Sequence, residues 1–403
     1  MLNKSCSLSR LGVAALALMA SLLAWAIATP VQAQTEILIG GTIAQSGSLQ
    51  GIVKPFGALG QAWVDDVNSR GGIYLSKLGR KLPVRMILYD DQSEPPTALK
   101  QYERLATVDK VHLFIGPFSS FVTNAAMQAS IKHKIPFFMV EANDAVLFEE
   151  NNNWRATGLA PAAWEYKRVA ELYKRMGGAS TFAVLSRDNL HERGAAQGFA
   201  DEVKRQGFTV VYKEEAPKDI KDFSSIILAM KGKNPDVVLI EALPPPWNIG
   251  FLKQARELGL NPQDIVVGHT PIPVIKGMGE SAENIVSSLY MFDGDTPDHL
   301  RFAKLCAAAG FEPWQYSESG IRYRAYRRIE DALERAGSLD ADEIRIAMWT
   351  TGMTLFGEET MKHDHEGYGT DHPYPTQVKG GKHVSLWPLE KGAATHQYKM
   401  GKW

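Results

Sequence analysis

The feature that most constrains this chain is a rhythm of short apolar runs, each closed by a polar or glycine-containing loop and followed by a segment of helical spacing. Residues 36–41, 82–89, 111–115 and 135–140 read as strands, with helices at 56–68, 95–109 and 121–133 between them. Four strands joined by short helical crossovers make a doubly wound parallel sheet, whose ligands bind beyond the carboxyl ends of the strands. A polar tract at 151–155 interrupts the rhythm, which then restarts. Strands are expected at 181–186, 208–212, 237–240, 265–267 and 285–291, and helices at 164–176, 194–206, 223–231 and 247–258. A second α/β lobe accounts for this better than one sheet of about ten strands. The length of 403 residues also exceeds the size at which a single core stops growing. Beyond 293 the chain reads as helical to about 336 and again at 343–349. A strand at 354–357 follows, then a hairpin at 374–388 turning on Gly380-Gly381, whose prolines suggest edge strands.

The first residues stand apart from this pattern. Lys4 and Arg10 flank the start of an apolar stretch at 11–28, and Val31-Gln32-Ala33 after Pro30 has the small-residue pattern of leader cleavage. Cleavage after Ala33 is expected; the alternative is an uncleaved membrane anchor. Losing 1–33 removes two of the 44 basic residues and none of the 45 acidic ones, taking the net charge from -1 to -3. It also removes Cys6, so Cys306 remains without a partner for an internal disulfide and the core must carry stability. Within its apolar helical run Cys306 reads as a buried inert thiol. The near-neutral balance offers no basic footprint for nucleic acid and no polybasic membrane patch, which leaves a small molecule as the expected partner.

The run from Val111 to Ile115 ends in Gly116-Pro117-Phe118-Ser119-Ser120, where a strand hands over to a helix. The first helical N–H groups lack partners there, the helix dipole is positive, and serine hydroxyls add donors. Such a corner suits a small anionic or carbonyl group, although either serine could instead cap its helix. The loop at 42–48 has neither G-x-G-x-x-G nor P-loop spacing, so it is not read as a phosphate cradle. His363-Asp364-His365-Glu366, with Asp371-His372 beyond, has the residue types of a metal site. Without helical spacing it reads as a solvated loop, and neither G-x-S-x-G nor H-E-x-x-H occurs.

Several segments together resemble the periplasmic binding proteins of the branched-chain amino acid and amide type, which deliver solutes to ABC transporters. They are Gly41-Thr42 with Ser46-Gly47, the run 63–68 with Gly71-Gly72, Tyr89-Asp90-Asp91-Gln92-Ser93, Ile115-Gly116-Pro117, the helix 194–207, Pro235-Asp236-Val237-Val238 and Val266-Val267-Gly268. Each piece fits many α/β proteins; their order from about 36 to 388 is what carries the resemblance. It implies the type I periplasmic binding protein fold, α/β with two doubly wound lobes closing on a ligand cleft. The lobes would be 36–157 with 290–372, and 158–289 with 373–403. It further implies a monomer in the periplasm that binds a small-molecule ligand and docks on the membrane permease of an ABC transporter, with no cofactor, metal, enzymatic activity or nucleic-acid partner.

By the same resemblance the positions facing the cleft are Gln45, Ser46, Ser119, Ser120, Glu141, Asn143, Trp164, His191, Glu241 and Thr270. Amino-acid binders of the family hold the ligand carboxylate at the position of Ser119 or Ser120, and the ammonium on a carboxylate after the strand that ends here at Gly268. This chain has His269-Thr270-Pro271 there instead, which leaves Glu241 as the candidate for an ammonium. Glu141 sets a second condition. About 4 Å from a bound anion it would repel it by about 4 kcal/mol at an effective dielectric near 20, unless it pairs with a base or meets an ammonium or amide. A ligand-sensing module of the same fold is the nearest alternative function, and a secreted metal-dependent enzyme a more distant one.

Overall fold

Leu113–Ile115 and Val237–Glu241 are buried at every residue, as strands covered by helices on both faces must be, and so they read as unbroken apolar runs. The structure is a computed structural model describing residues 35–149, 152–290, 295–316, 318–350, 352–356, 358–360 and 369–398. Residues 1–33, expected to be a leader, and the histidines of 363–366 lie outside these residues.

Two sheets organise the chain. The first contains β1 (Ile37–Ile43), β2 (Val84–Asp90), β3 (Leu113–Ile115), β4 (Phe137–Met139) and β5 (Arg155–Thr157) in the order β2-β1-β3-β4-β5, all parallel. The second contains β6 (Thr181–Arg187), β7 (Thr209–Ala216), β8 (Val237–Glu241), β9 (Asp264–Val267), β10 (Val286–Leu289), β11 (Tyr374–Lys379) and β12 (Lys382–Ser385). Its order is β12-β11-β10-β9-β8-β6-β7, with β11 and β12 antiparallel. Both sheets thus place their second strand beside the first and their third on the other side. In that order successive crossovers leave toward opposite faces and open a crevice beyond the carboxyl ends, between β1 and β3 and between β6 and β8. The fold is α/β with two doubly wound lobes.

The sequence-based elements fall where expected to within a few residues, with three exceptions. The tract read as an interruption at 151–155 leads into β5, a fifth strand of the first sheet, which apolar spacing did not signal because it is only three residues long and begins at Arg155. The helix expected from 164 begins as a 3-10 turn at Ala162–Trp164 and is α-helical only over Lys167–Met176. The prolines of the terminal hairpin do not make both strands edges: β12 is the edge, whereas β11 pairs on both sides, with Pro375 opposite Ser288. Pro375 sits second in its strand, and its carbonyl still accepts from Leu386 N at 2.8 Å. Cys306 is buried, and burial pushes its thiol up to about 12, in keeping with an inert role. Among the described residues no helix is long and apolar enough to cross a membrane.

After β10 the chain returns to the first sheet. Phe302, Leu305, Tyr326, Leu333 and Met348 from the late helices share a core with Ile37, Ile39 and Trp63. The passages between the sheets are held by buried charge. Ala160 N donates to Asp371 O at 3.1 Å and Asp371 N to Gly158 O at 2.9 Å, joining the first passage to the last. From the helix Ser319–Ala336, Arg324 Nη1 donates to Asp371 Oδ1 at 2.7 Å, while Arg328 Nη1 and Nη2 donate to Oδ2 and Oδ1 at 2.7 and 3.0 Å. Position 158 must be glycine, because a Cβ there would overlap the Arg328 guanidinium. Burial pushes the Asp371 carboxyl up, but the two guanidinium groups outweigh it and hold the group below its ordinary value.

Two outcomes are expected. Asp371→Asn, which leaves two buried arginines short of their anion, should cost about 3–5 kcal/mol in urea unfolding. Because the folded carboxyl titrates below the unfolded one, its stabilisation is complete above the unfolded pKa of about 4 and is lost as pH falls through the folded value. The acid limb of a stability–pH curve should accordingly be shallower in Asp371→Asn than in the wild type.

Candidate functional site

β3 ends at Gly116-Pro117, and Phe118 then bridges to Glu141 at the end of β4. The bridge brings Ser119 N to within 3.2 Å of Glu141 O and forces Ser119 to φ 77° and ψ 146°, a region normally left to glycine. Holding a serine there costs about 1–3 kcal/mol, and such strain concentrates at ligand sites. Neither serine caps the helix Ser120–His133 through its side chain. Ser120 Oγ accepts from Asn143 N and Asp144 N, both at 3.3 Å, and so braces the neighbouring loop. Ser119 Oγ is buried and has no protein partner.

Glu141, on the same wall, is paired with a base. Arg322 Nε lies 2.8 Å from its Oε1 and Arg322 Nη2 donates to its Oε2 at 2.9 Å, with both side chains buried. Burial pushes the carboxyl up and, against the opposing pull of the guanidinium, leaves it at about 8. The repulsion that Glu141 would exert on an anion at Ser119 is thereby offset by Arg322.

The opposite wall comes from the second sheet and from the start of the helix Ser319–Ala336. His269, at φ 46° just past β9, has Nδ1 3.1 Å from Glu318 Oε1 and Nε2 3.3 Å from His191 Nε2. His191 Nδ1 lies 3.2 Å from Asn143 Oδ1, whose amide nitrogen donates to Ala160 O at 2.6 Å. Burial lowers His269, but the hydrogen bond to Glu318 and the charges of Glu165, Glu241 and Glu318 outweigh it and bring the ring up to about 10. Burial, followed by the His269 charge, takes His191 down to about 3. One proton arrangement satisfies the chain: cationic His269 donates to Glu318 and to His191, and neutral His191 donates to Asn143.

Two more carboxylates crowd this corner. Glu165 Oε1 lies 3.8 Å from His269 Nε2, and Tyr290 Oη is 3.5 Å from Glu165 Oε2. Glu241 Oε1 is 3.9 Å from His191 Nε2, and Glu241 Oε2 accepts from the Tyr166 hydroxyl. Gly268 makes this possible, since a Cβ there would overlap the Glu241 carboxylate. Burial drives Glu165 up to about 7 and Glu241 up to about 8, with His269 opposing both. The Oε1 atoms of Glu165 and Glu241 are buried without a hydrogen-bond partner.

Between the walls lies a small pocket whose apolar lining is Phe118, Leu159, Leu243 and Ile321. Of the ten residues expected at the cleft, Ser119, Glu141, Asn143 and His191 line this pocket. Glu241 sits behind His191. The others are occupied elsewhere. Gln45 is exposed, with its backbone N–H donating to Asp90 at 2.9 Å, Ser46 Oγ donates to Asp90 at 2.7 Å, and Thr270 Oγ1 donates to Val267 O at 3.0 Å. Trp164 is 48% exposed and stacks on His372. Sequence reasoning missed Glu165, Tyr290 and Glu318 and took His269 only as a departure from the family pattern. Glu165 directly follows Trp164, and the 3-10 turn decides which of the two faces inward. For Glu318 no local signal existed.

A Ser119→Gly variant separates strain from function. Relief of the backbone should raise unfolding stability by about 1 kcal/mol, after allowing for the extra freedom of glycine in the unfolded chain, as read by urea denaturation. An unchanged or lowered stability would mean that Ser119 is not held under strain.

A family model described as periplasmic binding protein matches residues 36–382. The "Leu/Ile/Val-binding protein homolog 7" of Brucella melitensis is 24% identical over 307 residues, 71% of this chain and 73% of the relative. Among solved structures, the branched-chain amino acid substrate-binding protein LivJ of Streptococcus pneumoniae with isoleucine has a TM-score of 0.74 at 21% identity, covering 87% of this chain and 98% of that one. A solute-binding protein of R. palustris with 4-hydroxybenzoate has a TM-score of 0.74 at 19% identity, covering 87% and 95%. These structural likenesses concern the fold, while the family match spans most of the sequence. This chain belongs to the periplasmic binding protein family.

Proposed function

We propose that the chain captures a small organic solute in the cleft between its lobes and passes it to the membrane permease of an ABC transporter. In this reading it acts as a periplasmic monomer, after loss of residues 1–33. The N-terminal lobe comprises 36–157 and 290–372, the C-terminal lobe 158–289 and 373–403, and ligand binding shifts the population toward the closed form.

One observation carries the reading: strained Ser119, whose hydroxyl has no partner, and Glu165, whose buried Oε1 has none either, line one pocket. Buried polar atoms without partners are costly, and a ligand that supplies the complementary groups recovers that cost. The solute this site suits has an acceptor for Ser119 at one end and an ammonium or amide donor for Glu165 at the other. Of the ligands held by similar proteins, isoleucine has both ends, whereas 4-hydroxybenzoate lacks an ammonium. An α-amino acid or its amide is therefore favoured over an aromatic acid. Transport is favoured over sensing because the similar proteins are named as Leu/Ile/Val-binding and ABC-transporter solute-binding proteins.

Thermal-shift screening against amino acids, amides, amines and aromatic acids, with a chelator present, tests this. A true ligand at about 100 times its dissociation constant should add about 2.7 kcal/mol of stability. Glu165→Gln should then weaken an ammonium-bearing ligand by about 1.5–3 kcal/mol, the worth of a hydrogen bond to a charged group. Stabilisation by benzoates alone would overturn the ligand class, and no stabilisation by any solute would overturn the function.

A further inference from the structure

The two histidines in the acidic corner have an arrangement that solute capture does not require. Their Nε2 atoms face each other at 3.3 Å, while the remaining nitrogen of each ring is held by an oxygen, Asn143 Oδ1 for His191 and Glu318 Oε1 for His269. Metal-ligating histidines are oriented in this way, one nitrogen toward the ion and the other N–H on a carboxylate, an amide or a backbone carbonyl. A third donor stands ready: one ligand atom each from His191, Glu241 and His269 lie within 4.8 Å of one another, and all three residues are buried. Glu241 Oε1 is 3.9 Å from His191 Nε2, and Glu165 Oε1 is 3.8 Å from His269 Nε2. Neither carboxylate oxygen has a hydrogen-bond partner.

We propose that His191, His269 and Glu241, with Glu165 as fourth donor, form a binding site for a divalent transition-metal ion of the zinc type at the back of the pocket. Donor atoms at about 2.0–2.2 Å from a tetrahedral ion stand about 3.3–3.5 Å from one another. The histidine pair already meets that spacing, each carboxylate stands 3.8–3.9 Å from one of the two histidines, and a side-chain adjustment of Glu241 and Glu165 toward the ion closes the set. Two imidazoles and two carboxylates suit Zn²⁺, Co²⁺ or Ni²⁺, whereas Ca²⁺ and Mg²⁺ prefer oxygen donors throughout. The ion replaces the hydrogen bond between the histidines and supplies the positive charge that the crowded carboxylates call for. It goes beyond the solute reading and competes with it for one corner, because a solute ammonium would use Glu165, the fourth donor of the ion.

The test is calorimetric titration of the chelator-stripped, otherwise intact protein with Zn²⁺ and Co²⁺, with Mg²⁺ and Ca²⁺ as controls. One ion per chain should bind, Co²⁺ should give the intense visible absorption of a tetrahedral site, and the controls should give no saturable heat. His191→Gln and His269→Gln should each abolish the Co²⁺ band, and Glu318→Gln, which keeps an acceptor for His269 Nδ1 but removes its charge, should lower affinity about 10–100-fold. Melting curves taken in chelator show whether each variant folds; for a variant that does not, Glu241→Gln serves in its place. Absence of saturable binding by the wild type would overturn the proposal. So would binding that survives both histidine substitutions and disappears with His363→Ala and His365→Ala, since the ion would then sit on the tail. Solute screening in chelator is a separate readout, so either reading can fail while the other stands.

Discussion

The structure depends on the helix Ser319–Ala336, which buries Arg322, Arg324 and Arg328. Removing the partner of a buried guanidinium costs about 3–5 kcal/mol, so each of the three dictates where an anion must lie. Arg324 and Arg328 place Asp371, and with it the passage between the sheets. Arg322 places Glu141 at the end of β4. One turn before Arg322, Glu318 reaches His269 across the pocket. Helix, lobe connection and both walls of the pocket are tied together by charge that has no solvent to fall back on.

The pocket that results is uneven in charge. On one wall Arg322 offsets Glu141, leaving the Ser119 hydroxyl to meet a ligand acceptor without a strong local field. On the other, Glu165, Glu241 and Glu318 surround His269, which alone supplies positive charge while His191 stays neutral. An excess of buried carboxylate can be relieved by protonation, as the raised values of Glu165 and Glu241 indicate, or by a cation brought from outside. A binding protein can use the second route, because the cation that relieves the corner is then held by it.

Local periodicity made most of the architecture legible. The strands at 181–187 and 237–241 and the helix at 56–69 lie within a few residues of where apolar spacing puts them, since that spacing is itself the condition for burying one face. The site was legible only in part. Ser119, Glu141, Asn143 and His191 lie at strand ends or helix starts, which topology alone directs toward the crevice. Ser46 and Thr270 lie at comparable positions, yet nearby Asp90 and Val267 take their hydroxyls, and Gln45 is exposed. Trp164 and Glu165 are adjacent, and a single turn of 3-10 helix sends the carboxylate inward and leaves the indole largely outside.

By itself, then, the sequence determined the alternation of strands and helices, the two-sheet α/β class and the strand ends at which a ligand site could form, because these follow from hydrophobic period and turn chemistry within short windows. Only the tertiary structure decided the chemistry of the cleft. Glu318 and His269 are 49 positions apart, Glu141 and Arg322 are 181 apart, and Asp371 meets Arg324 across 47. A charged residue in a helical pattern reads as solvated from its neighbours in sequence. Whether it is instead buried and paired depends on the folding of distant segments around it, since the cost of its desolvation is met only by a partner that local sequence does not contain.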